Sequence, residues 1–439
     1  MMARLDITDL ASRMTADRSI DPGSGAVVFS AGSCVNFIPF PVVKGCRVMP
    51  ADPSVRMRLF FYSREIPEEL IHTYCYQDES NWASYRPELS NTELDEQGRT
   101  MQEDGFIRVS ADPAVRGRKL SDLLIIENND KMDSGFPFSV NLQAELLSEK
   151  VKALRKPGDL VLMVLTDTHY TVNGIWPDTL KSLRICAEKT QPDAVVHLGD
   201  FTDGLLPGEM TRSIVSGMRG DLEDICGRLW CCVGNHDVNY FRNNPDRFTR
   251  GDCASLYLRR KNPWYFVDLP EKELRLLFLD SFDPNRQERY GFPTEELVWM
   301  EKTLSRMPAS RRAVIFSHVP PASEIHVWSR TIRNGEAMLR TVERFHKKSG
   351  GAVIAWIHGH NHADQVYRKR AFPIIGIGCS KLEDFRDHKP AGSFTFDRVR
   401  GSDSQELWDL VLIHPLDESV DFLRYGAGFD RHVEMRNGR

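Results

Sequence analysis

No stretch of the 439 residues offers the ~18 consecutive apolar side chains that a membrane helix requires. The start, MMARLDITDLASRM, lacks the apolar segment and small-residue cleavage site of a secretory signal, so a cytoplasmic protein is expected. An excess of one charge is missing too. Lys and Arg number 57 against 62 Asp and Glu, a net charge of -5, which gives no support to a large basic surface for nucleic acid. Cysteine is present but unorganised: nine residues, an odd count without a paired framework, so reduced thiols are expected rather than disulfides. The adjacent Cys231 and Cys232 lie in an apolar run and are expected to be buried. There is no internal repeat and no low-complexity tract. What remains is ordinary globular usage, 41% apolar and 27% charged, in a chain long enough for two or three domains.

Two regions differ in texture. From about residue 20 to 128 the apolar runs are short and rich in β-branched and aromatic residues: GAVVFS, CVNFIPF, RMRLFFYS, GFIRVS and LSDLLIIEN. Pro, Gly, Ser and Asp punctuate them, which predicts an all-β sandwich or jelly roll over residues 1–140. The polar stretch 77–104 predicts a long exposed loop. QAELLSEKVKALRKPGD reads as a linker helix, 141–158, with Leu147, Val151 and Leu154 on one face. From 159 to about 425 the pattern alternates. LVLMVLTD, DAVVHLGD, LWCCVGNHD, LRLLFLDS, RAVIFSH and AVIAWIHGH are unbroken apolar runs of strand length, and helix-like segments follow several of them. A sheet covered on both faces is the expectation, hence an α/β fold. The β-like segments FPIIGIG, GSFTFDRV and LWDLVLIHP are expected to complete a second sheet, and 426–439 is expected to be a C-terminal tail whose last residues, HVEMRNGR, fray.

The chemistry falls at the ends of those strands. TDTH supplies Asp167 and His169, LGD supplies Asp200, and GNHD supplies Asn235 and His236. RAVIFSH delivers His318, and AVIAWIHGHNH delivers His360 and His362. Ligands of open α/β sheets bind at the carboxyl ends of the strands, so these distant residues can converge. Gly199, Gly234 and Gly359 suit tight turns at close backbone approach. Asp, Asn and His without cysteine suit zinc, manganese or iron. Seven donors are too many for one tetrahedral ion but suit two ions sharing a carboxylate. Such a pair, about 3.5–4 Å apart, can clamp a phosphoryl group and generate hydroxide at neutral pH.

These pieces in this order, Asp167-Thr-His169, Gly199-Asp200, Gly234-Asn235-His236-Asp237, His318 and Gly359-His360-Asn361-His362, resemble the calcineurin-like metallophosphoesterase family over roughly residues 158–385. The resemblance implies a four-layer α/β/β/α sandwich behind the all-β N-terminal region, and two divalent ions (Mn, Fe or Zn). By the same resemblance Asp167, His169 and His362 hold one ion, Asn235, His318 and His360 the other, and Asp200 bridges. His236 assists the leaving oxygen and Asp237 orients it. The second histidine of Gly-His-Asn-His and the GD-x-x-D pattern look like those of bacterial phosphodiesterase branches.

Other residues are candidates of a different kind. Asp203 is expected either to hold a hydrogen bond behind the metal site or to cap a turn, and His197 and His358 are expected in burial or solvent contact rather than ligating. Tyr170, Arg242, Arg247 and Arg250, with Tyr240 and Phe241, are candidates for gripping phosphate and stacking a base or sugar. His326 and Trp328 are candidates for the rim. The expected function is hydrolysis of a phosphodiester or nucleotide-type ester by a hydroxide shared between the two ions. Alternatives are a phosphomonoesterase or pyrophosphatase, and a nuclease is disfavoured by the net acidity. A different class is a glycan- or cell-wall-targeting protein, because the N-terminal region weakly resembles carbohydrate-binding jelly rolls. No membrane partner is expected.

Overall fold

A computed structural model describes residues 14–23, 25, 27–36, 40–42, 44–63, 85–103, 105–127, 139–170, 175–382, 392–394, 398 and 404–435. The chain divides into two compact units. One comprises Met1–Phe136, Thr171–Gly174 and Leu206–Met218; the other comprises Pro137–Tyr170, Ile175–Leu205 and Arg219–Arg439.

The first unit is built on two antiparallel sheets. Strands β1 (Met14–Ile20), β2 (Val27–Asn36), β3 (Phe40–Val42), β4 (Arg47–Pro50), β5 (Met57–Ser63), β6 (Thr92–Glu93), β7 (Arg99–Thr100), β8 (Gly105–Ala111) and β9 (Leu124–Glu127) supply them. The larger sheet runs β1-β2-β8-β5-β6 with β3 also on β8, and the smaller runs β7-β4-β9. Side chains from both, among them Cys34, Val48, Leu59, Phe61, Ile107, Val109 and Leu124, form one apolar cluster. Alternation in the sequence produces this arrangement, because a strand with every second residue apolar can wet one face and bury the other. The expected 77–104 loop is corrected in part: β6, β7 and a 3-10 turn at Pro87–Leu89 lie within it. Residues 77–84 lie outside the described residues.

In the second unit α1 (Ser139–Leu154) packs on α2 (Trp176–Thr190) and is part of the α/β layers rather than a free-standing linker. The first sheet has the order β12 (Leu229–Cys231), β11 (Ala194–His197), β10 (Leu160–Leu165), β19 (Leu407–His414), β20 (Ser419–Gly426), β21 (Arg431–Glu434). The second has the order β13 (Tyr265–Leu269), β14 (Leu274–Phe278), β15 (Arg312–Ser317), β16 (Val353–His358), β18 (Ile374–Gly376), β17 (Gln365–Tyr367). Strands β10–β12 are parallel, and so are β14, β15, β16 and β18. Helices α5 (Thr294–Ser305) and α6 (Gly335–Lys348) cover the second sheet through Met300, Leu304, Met338, Leu339 and Val342. Trp408 of β19 donates to Ser182 of α2 on the first. β16 and β20 approach each other between the sheets, giving the α/β/β/α sandwich. The short α4 (Arg250–Leu258) belongs to this unit too, whereas helix α3 (Gly208–Cys226) is divided, its residues up to Met218 counted to the first unit.

The tail expected at 426–439 is corrected. β21 pairs with β20, and Arg431 lies between Asp364 and Asp409 at 2.9 and 2.7 Å. These ion pairs and the ladder hold an edge strand of polar composition. Among the described residues the cysteines are free, Cys231 and Cys232 are buried, and no helix is long and apolar enough to cross a membrane.

Candidate metal centre

Every donor anticipated in the sequence leaves the end of a parallel strand. Asp167 and His169 follow β10, Asp200 follows β11, Asn235 follows β12, His318 follows β15, and His360 and His362 follow β16. Because the strands of each sheet run alongside one another, their carboxyl ends coincide in space. The turns there are abrupt. Asp167, His169, Asp200, His360 and His362 all sit at positive φ, between 39° and 67°. Left-handed backbone costs an L-residue energy, and its concentration at one spot is the usual mark of a functional site. Gly199 (φ 105°) and Gly234 let two of these loops touch, since a Cβ on Gly199 would lie 2.6 Å from the Gly234 nitrogen.

The donor atoms converge. Asp167 Oδ1 lies 3.2 Å from His362 Nε2 and 3.7 Å from His169 Nε2. Asp200 Oδ2 lies 3.1 Å from His318 Nε2 and 3.8 Å from His169 Nε2. Three groups of metal-competent atoms result, each within 4.8 Å: Asp167-His169-His362, His169-Asp200-His236 and Asp200-His318-His360. Asp200 and His169 each belong to two of them.

Several of these atoms face one another directly. His318 Nδ1 donates to the Leu198 carbonyl at 2.9 Å, so in the neutral ring Nε2 carries a lone pair. That atom nevertheless faces Asn235 Oδ1 at 3.1 Å, Asp200 Oδ2 at 3.1 Å and His360 Nδ1 at 3.2 Å. His169 and His362 likewise oppose their Nε2 atoms at 3.3 Å. The buried Asp167 Oδ1 has no hydrogen-bond partner. Convergent imidazole, amide and carboxylate atoms fit divalent cations, which bind all three together once the rings give up their protons. Without such ions the carboxylates draw protons onto the rings: burial lowers His318, but Asp200 and Asp167 raise it above the ordinary value. Burial works against charge on Asp167, but His362 and His318 hold its carboxyl well below the usual range. Burial also lowers His169, yet Asp167 and Asp203 outweigh it and push the imidazole up to about 10.

A surrounding layer orients these groups. Asp203 Oδ1 lies 3.1 Å from His169 Nδ1, an ion-pair contact behind the donors. Lys381 Nζ is 3.4 Å from the same carboxylate. No motif marks Lys381, so sequence reasoning does not reach it. His197 accepts from the Gly199 amide at 3.1 Å and stacks on Phe201; His358 is buried with Nδ1 on the Gly359 carbonyl. His326, expected at the rim, touches the centre: its Nε2 is 3.0 Å from His360 Nε2, and Trp328 Nε1 donates to the His360 carbonyl at 3.3 Å.

Other expectations are corrected. Asp237 does not orient His236; its carboxylate accepts from the amides of Gly234, Asp200 and Phe201 at 2.8–2.9 Å and so ties two donor loops together. Burial and the charge of Asp200 push it up to about 7. The group that fixes His236 is the Asp203 carbonyl, 2.8 Å from Nδ1. Arg250 is not aimed at a phosphate, because Asp280 holds its guanidinium and Trp264 lies beneath it. Arg247 is exposed, and the side chain of Arg242 lies outside the described residues. Tyr170 pairs its backbone with Phe201 at 2.7 Å. Among the described residues no ring contact or hydrogen bond joins its phenol to the donors.

Residues 160–364 match the family model of calcineurin-like phosphoesterases, and this part of the chain is a calcineurin-like metallophosphoesterase domain. It is thus a domain of the class that hydrolyses phosphate esters with a dinuclear metal centre. Similar solved structures include a dimetal phosphatase from Danio rerio, 14% identical, covering 64% of this chain and 100% of that one at a TM-score of 0.48. PhoD is 10% identical, with 92% of each chain covered and a TM-score of 0.40. Phosphopantetheinyl hydrolase from Mycobacterium tuberculosis is 12% identical, covering 55% of this chain and 98% of that one at 0.33. No curated protein matches the chain.

Proposed function

We propose that this domain hydrolyses phosphodiesters, of nucleotide type, in preference to phosphomonoesters. Asp167, His169 and His362 are assigned to one ion and Asn235, His318 and His360 to the other, with Asp200 between them. The observation that carries the reading is the convergence of Asn235 Oδ1, Asp200 Oδ2 and His360 Nδ1 within 3.2 Å of His318 Nε2, in a cluster where Asp200 belongs to two donor groups. Two divalent ions there supply charge neutralisation for phosphoryl oxygens and a means of ionising water near neutral pH.

The chain's own groups place the protons. Asp203, through His169, and Leu198, through His318, set which ring nitrogen faces the centre. His236 holds its Nδ1 proton on the Asp203 carbonyl and presents Nε2 to the donors, the atom at which a proton for the leaving oxygen is carried. Burial outweighs the neighbouring carboxylates and pushes this imidazole down to about 4, which makes its protonated form a strong acid toward a poor leaving group. Cations that would hold a dianionic monoester are already engaged: Lys381 with Asp203, Arg250 with Asp280. A monoanionic diester suits that balance better.

The test is kcat/KM for bis(p-nitrophenyl) phosphate and p-nitrophenyl phosphate with manganese, zinc and iron in turn. The diester is expected to be at least as good a substrate. A diester-to-monoester ratio below about 0.01, some 2.7 kcal/mol of opposite preference, assigns the centre to monoesters.

A further inference from the structure

A row of aromatic rings borders the donors. Phe241 stacks on the His236 imidazole with centroids 4.4 Å apart and planes 26° apart. Tyr240 stands edge-on to Phe241 at 5.8 Å and lies 5.5 Å from Phe282. Phe282 is 5.5 Å from Tyr290, which in turn meets His326 at 4.6 Å and His360 at 5.1 Å. Four rings therefore lead without a break from His236 to His360, which belong to different donor groups. Two segments supply them, the turn after Asn235 and the loop after β14, where an antiparallel bridge between Phe282 and Tyr290 sets the spacing.

Packing alone does not account for this row. Phe282 is buried, but Tyr240, Phe241 and Tyr290 are only half-buried, beside a cluster of carboxylates and imidazoles. Arg289, itself exposed, lies over the Tyr240 ring at 5.5 Å. An ester whose phosphate sits on the donors must project its organic group somewhere, and a π-surface with a guanidinium above it favours a flat, electron-rich group.

We propose that this row is a platform for a planar aromatic group of nucleobase size carried by the substrate, with Tyr290 as its principal stacking residue. The proposal rests on the phosphoesterase reading for the position of the phosphate and assigns to named rings the base that its nucleotide-type substrate carries. Lipid and alkyl diesters lack the matching face, and a sugar offers only its C–H face. Base-on-ring stacking is worth about 1–3 kcal/mol per base, so the ring should tighten binding by roughly tenfold.

The experiment is calorimetric titration of the manganese-loaded full chain with adenosine 5′-monophosphate and with ribose 5-phosphate, which share the phosphate and differ in the base. Wild type is expected to bind the adenosine compound about tenfold more tightly. Tyr290→Ala should erase most of that preference, and Tyr290→Phe, which keeps the ring, should retain it. Equal affinities in wild type overturn the proposal, as does a Tyr290→Ala change that weakens both ligands alike. Should Tyr290→Ala fail to fold, Tyr240→Ala and the wild-type comparison carry the same reading. Because binding is read without turnover, a chain that hydrolyses no phosphate ester yet keeps the tenfold preference retains the platform and loses the phosphoesterase reading.

Discussion

The two units handle polarity in opposite ways. In the β-sandwich, strands such as β4 and β9 alternate in burial, so their polar side chains go to water along the strand. In the α/β unit β10, β11, β15 and β16 are buried almost throughout, and their chemistry has nowhere to go but the ends. A sheet open on one face spreads its polar groups, whereas a sheet covered on both concentrates them. The metal-competent cluster results from that concentration, with histidine, carboxylate and amide donors delivered to one place by strands that could carry nothing polar earlier.

The largest expected effect breaks this concentration at its centre. Asp200→Asn removes the one carboxylate shared by two donor groups, and elemental analysis of chelator-free protein should fall from near two metals per chain to one or fewer, with activity lost. Two retained ions would remove Asp200 from the bridging position. Next comes His236→Ala, expected to lower turnover by roughly 10²–10⁴-fold while metal content stays nearly intact. Because His236 also falls within 4.8 Å of His169 and Asp200, the metal assay is decisive. Loss of an ion in that variant makes His236 a ligand rather than a proton carrier.

In the other unit, Leu59→Ala tests whether the two kinds of sheet are independent. Leu59 is fully buried in the sandwich cluster, and its truncation should cost about 2–5 kcal/mol of stability, read by denaturant unfolding. Metal stoichiometry per folded chain should not change, and a coupled loss would show that the donor loops depend on the sandwich core. The smallest effect is a pH slope. His414, buried in β19, faces Asp159 at 2.7 Å and Asp421 at 2.9 Å. Burial lowers its pKa, but Asp421 and Asp159 raise it above the ordinary value. Wild type should therefore be most stabilised relative to His414→Asn below about pH 6.5. The advantage should fade as pH rises through the raised folded value. A Tm difference that grows with pH would contradict the ion pair.

Much of the fold and the centre is legible in the sequence, for reasons that differ by residue. Apolar runs ending in Asp167, Asp200 and His318 announce both a covered sheet and its functional edge, because few polar residues are tolerated earlier in such strands. Asp237 misleads because a carboxylate beside a histidine in sequence suggests that pairing, whereas its backbone turn aims it at three amides from neighbouring loops. Arg250 misleads because an arginine near a motif looks available, and only the fold shows Asp280 holding it. β21 leaves little trace because its apolar content is low and its hold comes from ion pairs with Asp364 and Asp409.

By itself the sequence determined the alternating sandwich pattern, the buried strands and the donors at their ends, since periodicity and composition are local and survive without knowledge of the neighbours. Only the tertiary structure decided which imidazole nitrogen faces the centre, what Asp203, Asp237 and Lys381 do behind it, and that Tyr240, Phe241, Phe282 and Tyr290 form one row. Those are contacts between loops dozens of residues apart, and their partners are chosen by how the sheets bring strand ends together rather than by anything adjacent in the chain.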